Sequence, residues 1–268
     1  MIRHGSWDDF DAAAALSGNA ELLRWRWQVP SFDPSRHLWI ADGAFGALYA
    51  PDEAAVRGNA AHVPALLERI EEQARAEAFS QLMFVIPEWD EPAWRAYEQV
   101  GFALATEVLE MEIVFDAPPP DPSPPADVEL RAYTDADAHA VRGLLDDAYV
   151  GWDETYVPFT HADWLAFMTD HDSFDPACWF LAETEGELAG VCLTWKEGWI
   201  KDLAVLPSAR GQGLGELLLR HAFARLFERG VQRVGLKVDA ANPTSALRLY
   251  ERVGMQVVKR YRSYVKKL

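Results

Sequence analysis

The sequence predicts an α/β (α+β) protein of two consecutive domains, each with a mixed, mostly antiparallel sheet flanked by helices. Three observations lead to this prediction. The chain of 268 residues is too long for one small domain and suits two of about 110–140 residues. Apolar runs typical of strands alternate with segments of helical periodicity, which indicates sheets covered by helices. A proline-rich segment near the middle divides the chain.

That segment, residues 116–125, reads DAPPPDPSPP and holds six of the 16 prolines. Because proline fixes φ and lacks an N–H, we expect an extended, semi-rigid spacer. The predicted organisation is a first domain at 1–116, a linker at 117–126 and a second domain at 127–268.

The two halves also resemble each other. Residues 246–254, ALRLYERVG, repeat residues 93–101, AWRAYEQVG, with six identities in nine positions and an offset of 153. At the same offset Arg210-Gly211 aligns with Arg57-Gly58. We interpret this as an internal duplication.

The first half is expected to contain four strands and two helices. A turn at Asp42-Gly43 separates the first two strands, and Pro64 and Pro92 suit the first turns of the helices. The predicted strands are 37–40, 45–49, 82–86 and 103–115, and the predicted helices are 64–78 and 92–100.

The second half repeats this order with more elements. Thr134 and Asp137 resemble a capping box before a helix. Asn242 or Asp239 could cap a later helix, for which Gly254 is a C-terminal stop. The predicted strands are 128–131, 178–184, 188–195, 199–205, 231–238 and about 256–265. The first predicted helix runs to about Tyr149, and the second begins at His161. The third spans 213–229, and the fourth follows Asn242.

The net charge of −17 excludes broad classes of partner. Nucleic-acid binding needs positive charge to displace counterions from phosphates, and docking on anionic lipid needs it too. Residues 1–126 carry eight Lys and Arg against 21 Asp and Glu, and no lysine. We therefore expect no nucleic-acid and no membrane partner, but cationic or neutral ones.

Two cysteines, Cys178 and Cys192, are too few for a disulfide framework or a zinc site. The segment at Met1 lacks the apolar core of a signal peptide, and no apolar run approaches the length of a membrane span. A cytoplasmic location and no bound metal are expected.

The most informative segment is 203–219, LAVLPSARGQGLGELLL. It predicts a strand, a short loop and a helix with a glycine-rich first turn. Free N–H groups at such a helix start favour an anion, and Gly213 and Gly215 allow close approach to the backbone. The spacing is neither the Walker pattern nor the dinucleotide pattern G-x-G-x-x-G.

A second segment, Asn242-x-x-x-Ala246-x-x-Leu249-Tyr250-x-x-x-Gly254, follows it. Together the two segments resemble the acetyl-CoA-binding core of the GCN5-related N-acetyltransferase (GNAT) superfamily, with Met255 in place of the usual Phe. The resemblance covers about 128–268 and is strongest over 199–256. It implies two tandem acyl-CoA N-acyltransferase domains and acetyl-CoA as co-substrate.

The resemblance also implies roles for individual residues. The strand segment Leu203, Ala204 and Val205 would pair with the pantetheine arm. Asn242 would contact the same arm, and Tyr250 would stabilise or protonate the leaving thiolate. The loop expected to hold the pyrophosphate through its backbone consists of Arg210, Gly211, Gln212, Gly213, Leu214 and Gly215.

The general base is not identified by the resemblance. Trp199, Lys201 and Lys237 occupy the positions where some members carry a glutamate. Strand alternation is expected to turn Asp202 and Asp239 onto the other faces of their strands. The remaining candidates are Asp153, Glu154, His161 and a water relay.

We therefore expect an N-acetyltransferase that transfers the acetyl group directly to a primary amine, either a small cationic amine or a peptide amine. Residues 146–175 contain eight carboxylates and no Lys or Arg, interleaved with aromatic residues, which suits an ammonium group or a solvated surface. The alternative is a non-catalytic acyl-CoA-binding sensor or scaffold module.

The first half is expected to be a degenerate copy. At the repeat offset Ala60 and His62 stand in place of Gly213 and Gly215, and Trp89 in place of Asn242. The layout is similar to that of mycothiol synthases, with an intact second half. Whether the first half binds CoA and whether the chain is a monomer or homodimer stay open.

Overall fold

The chain groups into two compact units. The computed structural model describes residues 1–18, 20–49, 53–149, 160–170, 172–242, 244 and 246–268. Unit 1 consists of Met1–Val108, Thr155–Asp170 and Tyr261–Leu268. Unit 2 consists of Leu109–Glu154 and His171–Arg260.

The first half of the chain contains six strands and five helices among the described residues. The strands are β1 (Arg3–His4), β2 (Leu38–Ala41), β3 (Ala44–Tyr49), β4 (Glu53–Gly58), β5 (Gln81–Pro87) and β6 (Ala103–Val114). The helices are α1 (Phe10–Ser17), α2 (Ala20–Gln28), α3 (Pro34–His37), α4 (Val63–Ala76) and α5 (Glu91–Gln99).

The described part of the second half contains six more strands and four helices. The strands are β7 (Val128–Ala132), β8 (Trp179–Thr184), β9 (Glu187–Thr194), β10 (Ile200–Val205), β11 (Arg233–Asp239) and β12 (Gln256–Lys267). The helices are α6 (Ala138–Tyr149), α7 (His161–Thr169), α8 (Leu214–Glu228) and α9 (Ala246–Arg252).

The sheet of unit 1 is mixed and mostly antiparallel, as predicted. Strands β1 to β4 pair antiparallel in chain order, and β4 pairs parallel with β5. The other edge of β5 pairs antiparallel with the end of β12, in a register that runs from Tyr261 opposite Pro87 to Lys267 opposite Gln81. Helix α4 buries Leu66, Leu67 and Ile70 against this sheet.

Unit 2 is built around an antiparallel sheet in the order β7–β8–β9–β10. Strand β11 lies next to β6, and the N–H of Phe115 donates to the carbonyl of Gln232 at 2.8 Å. One face of α8 is buried, and its residues Leu218, Phe223 and Leu226 pack in one core with the β11 side chains.

The repeat seen in the sequence recurs in the order of the elements. Helices α4 and α8 begin at Val63 and Leu214, 151 residues apart. Strands β6 and β12 begin at Ala103 and Gln256, 153 residues apart. The predicted tandem arrangement of two similar α/β domains is therefore confirmed.

The units do not coincide with the boundaries 1–116 and 127–268. Tyr261–Leu268, at the end of the second half, belongs to unit 1, and residues from Leu109 onward belong to unit 2. The physical reason is hydrogen bonding and burial. The end of β12 completes the sheet beside β5, whereas Leu109 and Met111 are buried in the core of unit 2.

The proline-rich segment forms no helix or strand over the described residues 117–126. It is attached to α8 at one point, where the Asp121 carboxylate accepts from His221 Nδ1 at 2.9 Å and from Arg225 Nη2 at 2.7 Å. Its role as a linker between two domains stays a prediction.

Several elements were not predicted. Helices α1, α2 and α3 and strands β1 and β4 lie in segments where short alanine-rich or polar runs give weak periodicity. Arg57 and Gly58 lie at the end of β4, not in a loop like Arg210 and Gly211.

None of the described helices is long and apolar enough to cross a membrane.

The C-terminal strand should contribute to the stability of unit 1. Tyr264 is fully buried, and its hydroxyl lies 3.0 Å from Glu98 Oε1. Replacing a buried aromatic residue with alanine leaves a cavity, so Tyr264→Ala should lower the free energy of unfolding by about 3–5 kcal/mol in chemical denaturation.

Val258→Ala is the matched control, because Val258 lies on the same strand but is 47% exposed. It should change the free energy of unfolding by less than about 0.5 kcal/mol. Equal effects of the two variants would contradict the assignment of the C-terminal residues to unit 1.

Candidate active site

A cleft of about 560 Å³ in unit 2 brings the sequence motifs together. Its walls come from the ends of α6, β10 and β11, the loop before α8, and helix α9. The predicted site residues that line it are Leu203, Ala204, Val205, Arg210, Gly211, Gly213, Leu214, Gly215, Asn242 and Tyr250. Gln212 is in the same loop but does not line the cleft.

The cleft begins where β10 and β11 meet. Trp199 and Gly235 form a parallel bridge, and the N–H of Gly235 donates to the carbonyl of Gly198 at 2.9 Å. A Cβ at Gly235 would lie 3.0 Å from the Trp199 ring, so glycine permits this close approach. In the described part of the chain no other bridge joins β10 to β11, and their edges beyond it line the cleft.

The start of α8 provides an anion site made of backbone. Gly213 is the N-cap with φ of 83°, a left-handed conformation that suits glycine, and no side chain caps this helix end. The first N–H groups of a helix lack intrahelical partners and carry the positive end of the helix dipole. A Cβ at Gly211 or Gly213 would meet nothing within 4 Å, so the loop faces open space among the described residues.

Glu216 is in this first turn and also lines the cleft. Its carboxylate lies 2.9 Å from Arg220 Nε and 3.3 Å from Arg252 Nη1. The hydrogen bond from Arg220 holds the pKa of Glu216 below its usual range, although burial opposes it. The charge of Glu216 is thus balanced within the protein and leaves the helix start suited to an anion.

Two donors of the Arg210 side chain are engaged within the protein. Its guanidinium donates from Nε to the carbonyl of Val205 at 3.1 Å and from Nη2 to the carbonyl of Ala148 at 2.8 Å. Its backbone N–H lies 3.4 Å from the carbonyl of Pro207. The free N–H groups of the loop therefore begin after Arg210.

Asn242 uses its side-chain oxygen in a turn that precedes α9. Asn242 Oδ1 accepts from the Thr244 N–H at 2.9 Å and from Thr244 Oγ1 at 2.6 Å. The Asn242 backbone N–H donates to the carbonyl of Asp239 at 3.1 Å. The Asn242 amide NH₂ is the group that remains for a ligand in the cleft.

Tyr250 lies on α9 with its ring in the core and lines the cleft. Only 7% of the residue is exposed, and among the described residues no side chain hydrogen-bonds its hydroxyl. Burial raises its pKa above the usual value of 10, and the nearby Cys192 and Asp202 add to this effect. The hydroxyl is therefore a neutral hydrogen-bond donor throughout the physiological pH range.

Asp202 also lines the cleft, contrary to the expectation from strand alternation. The register of β10 against β9 shifts between Ile200, opposite Thr194, and Asp202, opposite Leu193. This bulge inserts one residue and changes which face the following side chains point to. The Asp202 side chain is 13% exposed, accepts from the Tyr149 hydroxyl at 3.1 Å and lies 3.5 Å from Lys201 Nζ.

Other predicted base candidates do not join this group. His161 lies on α7 in unit 1 and does not line the cleft. Asp239 lines the cleft, but its Oδ1 accepts from the Ala241 N–H at 2.7 Å. Asp153 and Glu154 lie outside the described residues.

Much of the acidic region at 146–175 has structural partners. Asp163 is buried and accepts from the Ser31 N–H at 3.0 Å. Asp146 pairs with Arg142 at 2.7 Å, and Asp175 pairs with Arg229. Three carboxylates of the described residues line the cleft, namely Asp202, Glu216 and Asp239, and the charge of Asp202 acts on the Tyr250 hydroxyl.

The corresponding loop of the first half lacks the features of an anion site. Asn59 Oδ1 accepts from the Ala61 N–H at 3.0 Å, and Pro64 in the first turn of α4 has no N–H. Both features reduce the number of free donors at this helix start. That this half does not bind CoA stays a prediction.

Several known proteins are similar to this chain in sequence. Residues 138–255 match the family described as Acetyltransferase (GNAT) family. The mycothiol acetyltransferase of Thermobispora bispora is 34% identical over 165 residues, which cover 58% of this chain and 55% of that protein. The putative [ribosomal protein bS18]-alanine N-acetyltransferase of Bacillus subtilis is 37% identical over 83 residues, 30% of this chain and 54% of that protein.

The chain spans about half the length of these curated relatives. A solved structure extends the likeness to the full chain. The GCN5-related N-acetyltransferase from Sphaerobacter thermophilus has a TM-score of 0.76 and 27% identity, and the match covers 100% of this chain and 95% of that one. Residues 138–255, which include most of the cleft, thus match the GNAT family, and the whole chain is similar in fold to a solved GCN5-related N-acetyltransferase.

Proposed function

We propose that the protein is an acetyl-CoA-dependent N-acetyltransferase that acetylates a primary amine at the cleft of unit 2. One observation carries the proposal. The backbone anion site at the start of α8, the edge of β10 that has no strand partner among the described residues, Tyr250 and Asp202 all line one cleft. These are the groups that binding a thioester and transferring its acyl group require.

The chain's groups fit acetyl-CoA in order along the cleft. The N–H groups at the start of α8 would bind the pyrophosphate, because the helix dipole and the absence of Cβ atoms at Gly211 and Gly213 favour an anion there. The edge of β10 at Leu203 to Val205 and the Asn242 amide would hold the pantetheine arm. Acetyl-CoA supplies the acetyl group as a thioester.

Asp202 would act as the base for the amine, and Tyr250 would be the hydrogen-bond donor to the leaving sulfur. Asp202 would attract the ammonium form of the acceptor and take its proton, so that the neutral amine attacks the carbonyl. Tyr250 would donate a hydrogen bond to the sulfur as negative charge develops there. Because burial raises its pKa, Tyr250 stays protonated and ready to donate at any pH near neutrality.

The acceptor class is a primary amine of a small cationic molecule or of a peptide. A carboxylate in a confined cleft favours an ammonium group over a neutral or anionic one. The relatives' names include mycothiol and a ribosomal protein alanine. A screen by thiol release should therefore include small polyamines, amino sugars and peptides with an N-terminal alanine.

The anion site should be sensitive to charge at Gly213. Both Asp and Asn tolerate a positive φ, so Gly213→Asp and Gly213→Asn differ mainly in charge. By titration calorimetry, Gly213→Asp should raise the Kd of acetyl-CoA by about tenfold, since a like charge about 4 Å from the pyrophosphate costs about 1 kcal/mol in water and more near a protein surface.

Gly213→Asn should weaken acetyl-CoA binding less. One site per wild-type chain is expected, and two would show that unit 1 also binds. No binding by the wild type would contradict the proposal. Binding without thiol release for any amine would favour the non-catalytic sensor or scaffold module.

The Tyr250 hydroxyl should matter for turnover and not for cofactor binding. Tyr250→Phe should lower kcat by about 10²-fold, the usual effect of losing one donor to a developing anion, with little change in the Kd of acetyl-CoA. Wild-type kcat should show no decline from Tyr250 ionisation up to pH 10, because its pKa lies above that value.

Tyr133→Phe removes a hydroxyl from another buried tyrosine of unit 2 and serves as the control. Its kcat should stay close to that of the wild type. Unchanged kcat in Tyr250→Phe would remove the proposed role of Tyr250.

Asp202 should be needed at neutral pH. Asp202→Asn should lower kcat/KM for the amine by about 10²-fold or more, because the protonated amine then lacks a base. The deficit should shrink at alkaline pH, where more of an amine with an ordinary pKa near 10.4 is already neutral.

Glu187→Gln gives the same charge change at an exposed position on β9 and should leave kcat/KM unchanged. A deficit of Asp202→Asn that is constant with pH would argue for a base elsewhere in the protein.

A further inference from the structure

The Arg210 guanidinium joins two elements of unit 2. It donates to the carbonyl of Ala148, in the last turn of α6, and to the carbonyl of Val205, the last residue of β10. The end of a helix and the end of a strand are thus held by two donors of one rigid group.

The Ala148 carbonyl needs such a partner. The last four carbonyls of a helix have no intrahelical donor, and Ala148 is only 7% exposed. A cation near the C-terminal end of a helix is also favoured by the helix dipole. The hydrogen bond at 2.8 Å satisfies a buried acceptor and places positive charge where α6 favours it.

The next residue makes a second connection between the same elements. The Tyr149 hydroxyl donates to Asp202 Oδ1 at 3.1 Å, and Asp202 lies on β10 three residues before Val205. Arg210 therefore fixes the backbone position from which Tyr149 reaches the carboxylate. The connection runs from the cofactor loop through the end of α6 to Asp202.

We propose that Arg210 and Tyr149 are positioning residues that act as one unit, which we name the α6 clamp, and that the Arg210 side chain serves acceptor binding and not the pyrophosphate. This inference rests on the proposed function, in which Asp202 binds the acceptor amine and takes its proton. The clamp orients the Asp202 carboxylate toward the cleft, next to Tyr250.

The geometry requires arginine in particular. The planar guanidinium presents several donors in a fixed fork, so it reaches the Ala148 and Val205 carbonyls at once. Lysine has the same charge but a single compact ammonium group. A charge role toward the pyrophosphate would survive Arg210→Lys, whereas the clamp would not.

The test compares Arg210→Lys, Arg210→Gln, Tyr149→Phe and the double variant Arg210→Lys/Tyr149→Phe. Acetyl-CoA binding is measured by calorimetry, and KM and kcat by thiol release with the best amine of the screen. We expect all single variants to raise the KM of the amine about fivefold or more, with the Kd of acetyl-CoA within about threefold of wild type. The double variant should be no worse than the more affected single one.

Arg225→Lys is the matched control, because Arg225 lies on α8, pairs with Asp121 and Glu228, and does not line the cleft. It should leave the Kd of acetyl-CoA and the KM of the amine unchanged. Three results together would overturn the clamp. Arg210→Gln would weaken acetyl-CoA binding tenfold or more, Arg210→Lys would bind acetyl-CoA like the wild type, and Tyr149→Phe would leave the KM of the amine unchanged. Additive losses in the double variant would also contradict it.

Hydrogen exchange at the end of α6 tests the clamp without turnover. Arg210→Lys and Arg210→Gln should speed amide exchange over residues 145–149 about fivefold, and Arg225→Lys should not. If the wild type acetylates no amine, the proposed function fails, yet this exchange result still decides the clamp. Equal exchange in the Arg210 variants and the control would overturn it.

Discussion

The site depends on one parallel bridge between Trp199 and Gly235. The bridge requires a residue without Cβ at 235, because a methyl group there would meet the indole ring at 3.0 Å. Beyond it, within the described residues, β10 pairs with β9 alone and its other edge faces the cleft. Backbone donors and acceptors on such an edge need partners, and the amides of a pantetheine arm can provide them.

The protein and the pyrophosphate of its proposed co-substrate are both negatively charged, and groups at the cleft compensate for the repulsion. A chain with a net charge of −17 would repel a pyrophosphate at long range. The cleft offers backbone N–H groups and a helix dipole in place of free cations, and Glu216 in the same turn is neutralised by Arg220 and Arg252. Two donors of the neighbouring Arg210 guanidinium bind carbonyls of the protein, so the anion site at α8 is made mainly by backbone N–H groups.

Each half of the chain contributes a strand segment to the unit that the other half mainly forms. Lys266, near the C-terminal end, donates to Glu71 Oε1 at 2.6 Å and to the carbonyl of Val100 at 2.7 Å, all within unit 1. Leu109 and Met111, from the end of the first half, are buried in unit 2. A fragment cut at the proline-rich segment would leave both cores with missing strands, so the two halves are expected to fold as one chain.

The sequence alone determined the duplication, the tandem α/β architecture, most strands and helices, and the set of motif residues that line the cleft. These features are local, since periodicity, caps and glycine positions act within a few residues. Only the tertiary structure decided that Asp202 lines the cleft, that Arg210 bonds to α6, and that the end of the last strand belongs to unit 1. A one-residue bulge reverses strand alternation, and hydrogen bonds to distant carbonyls leave no periodic signal, so neither could be read from neighbouring residues.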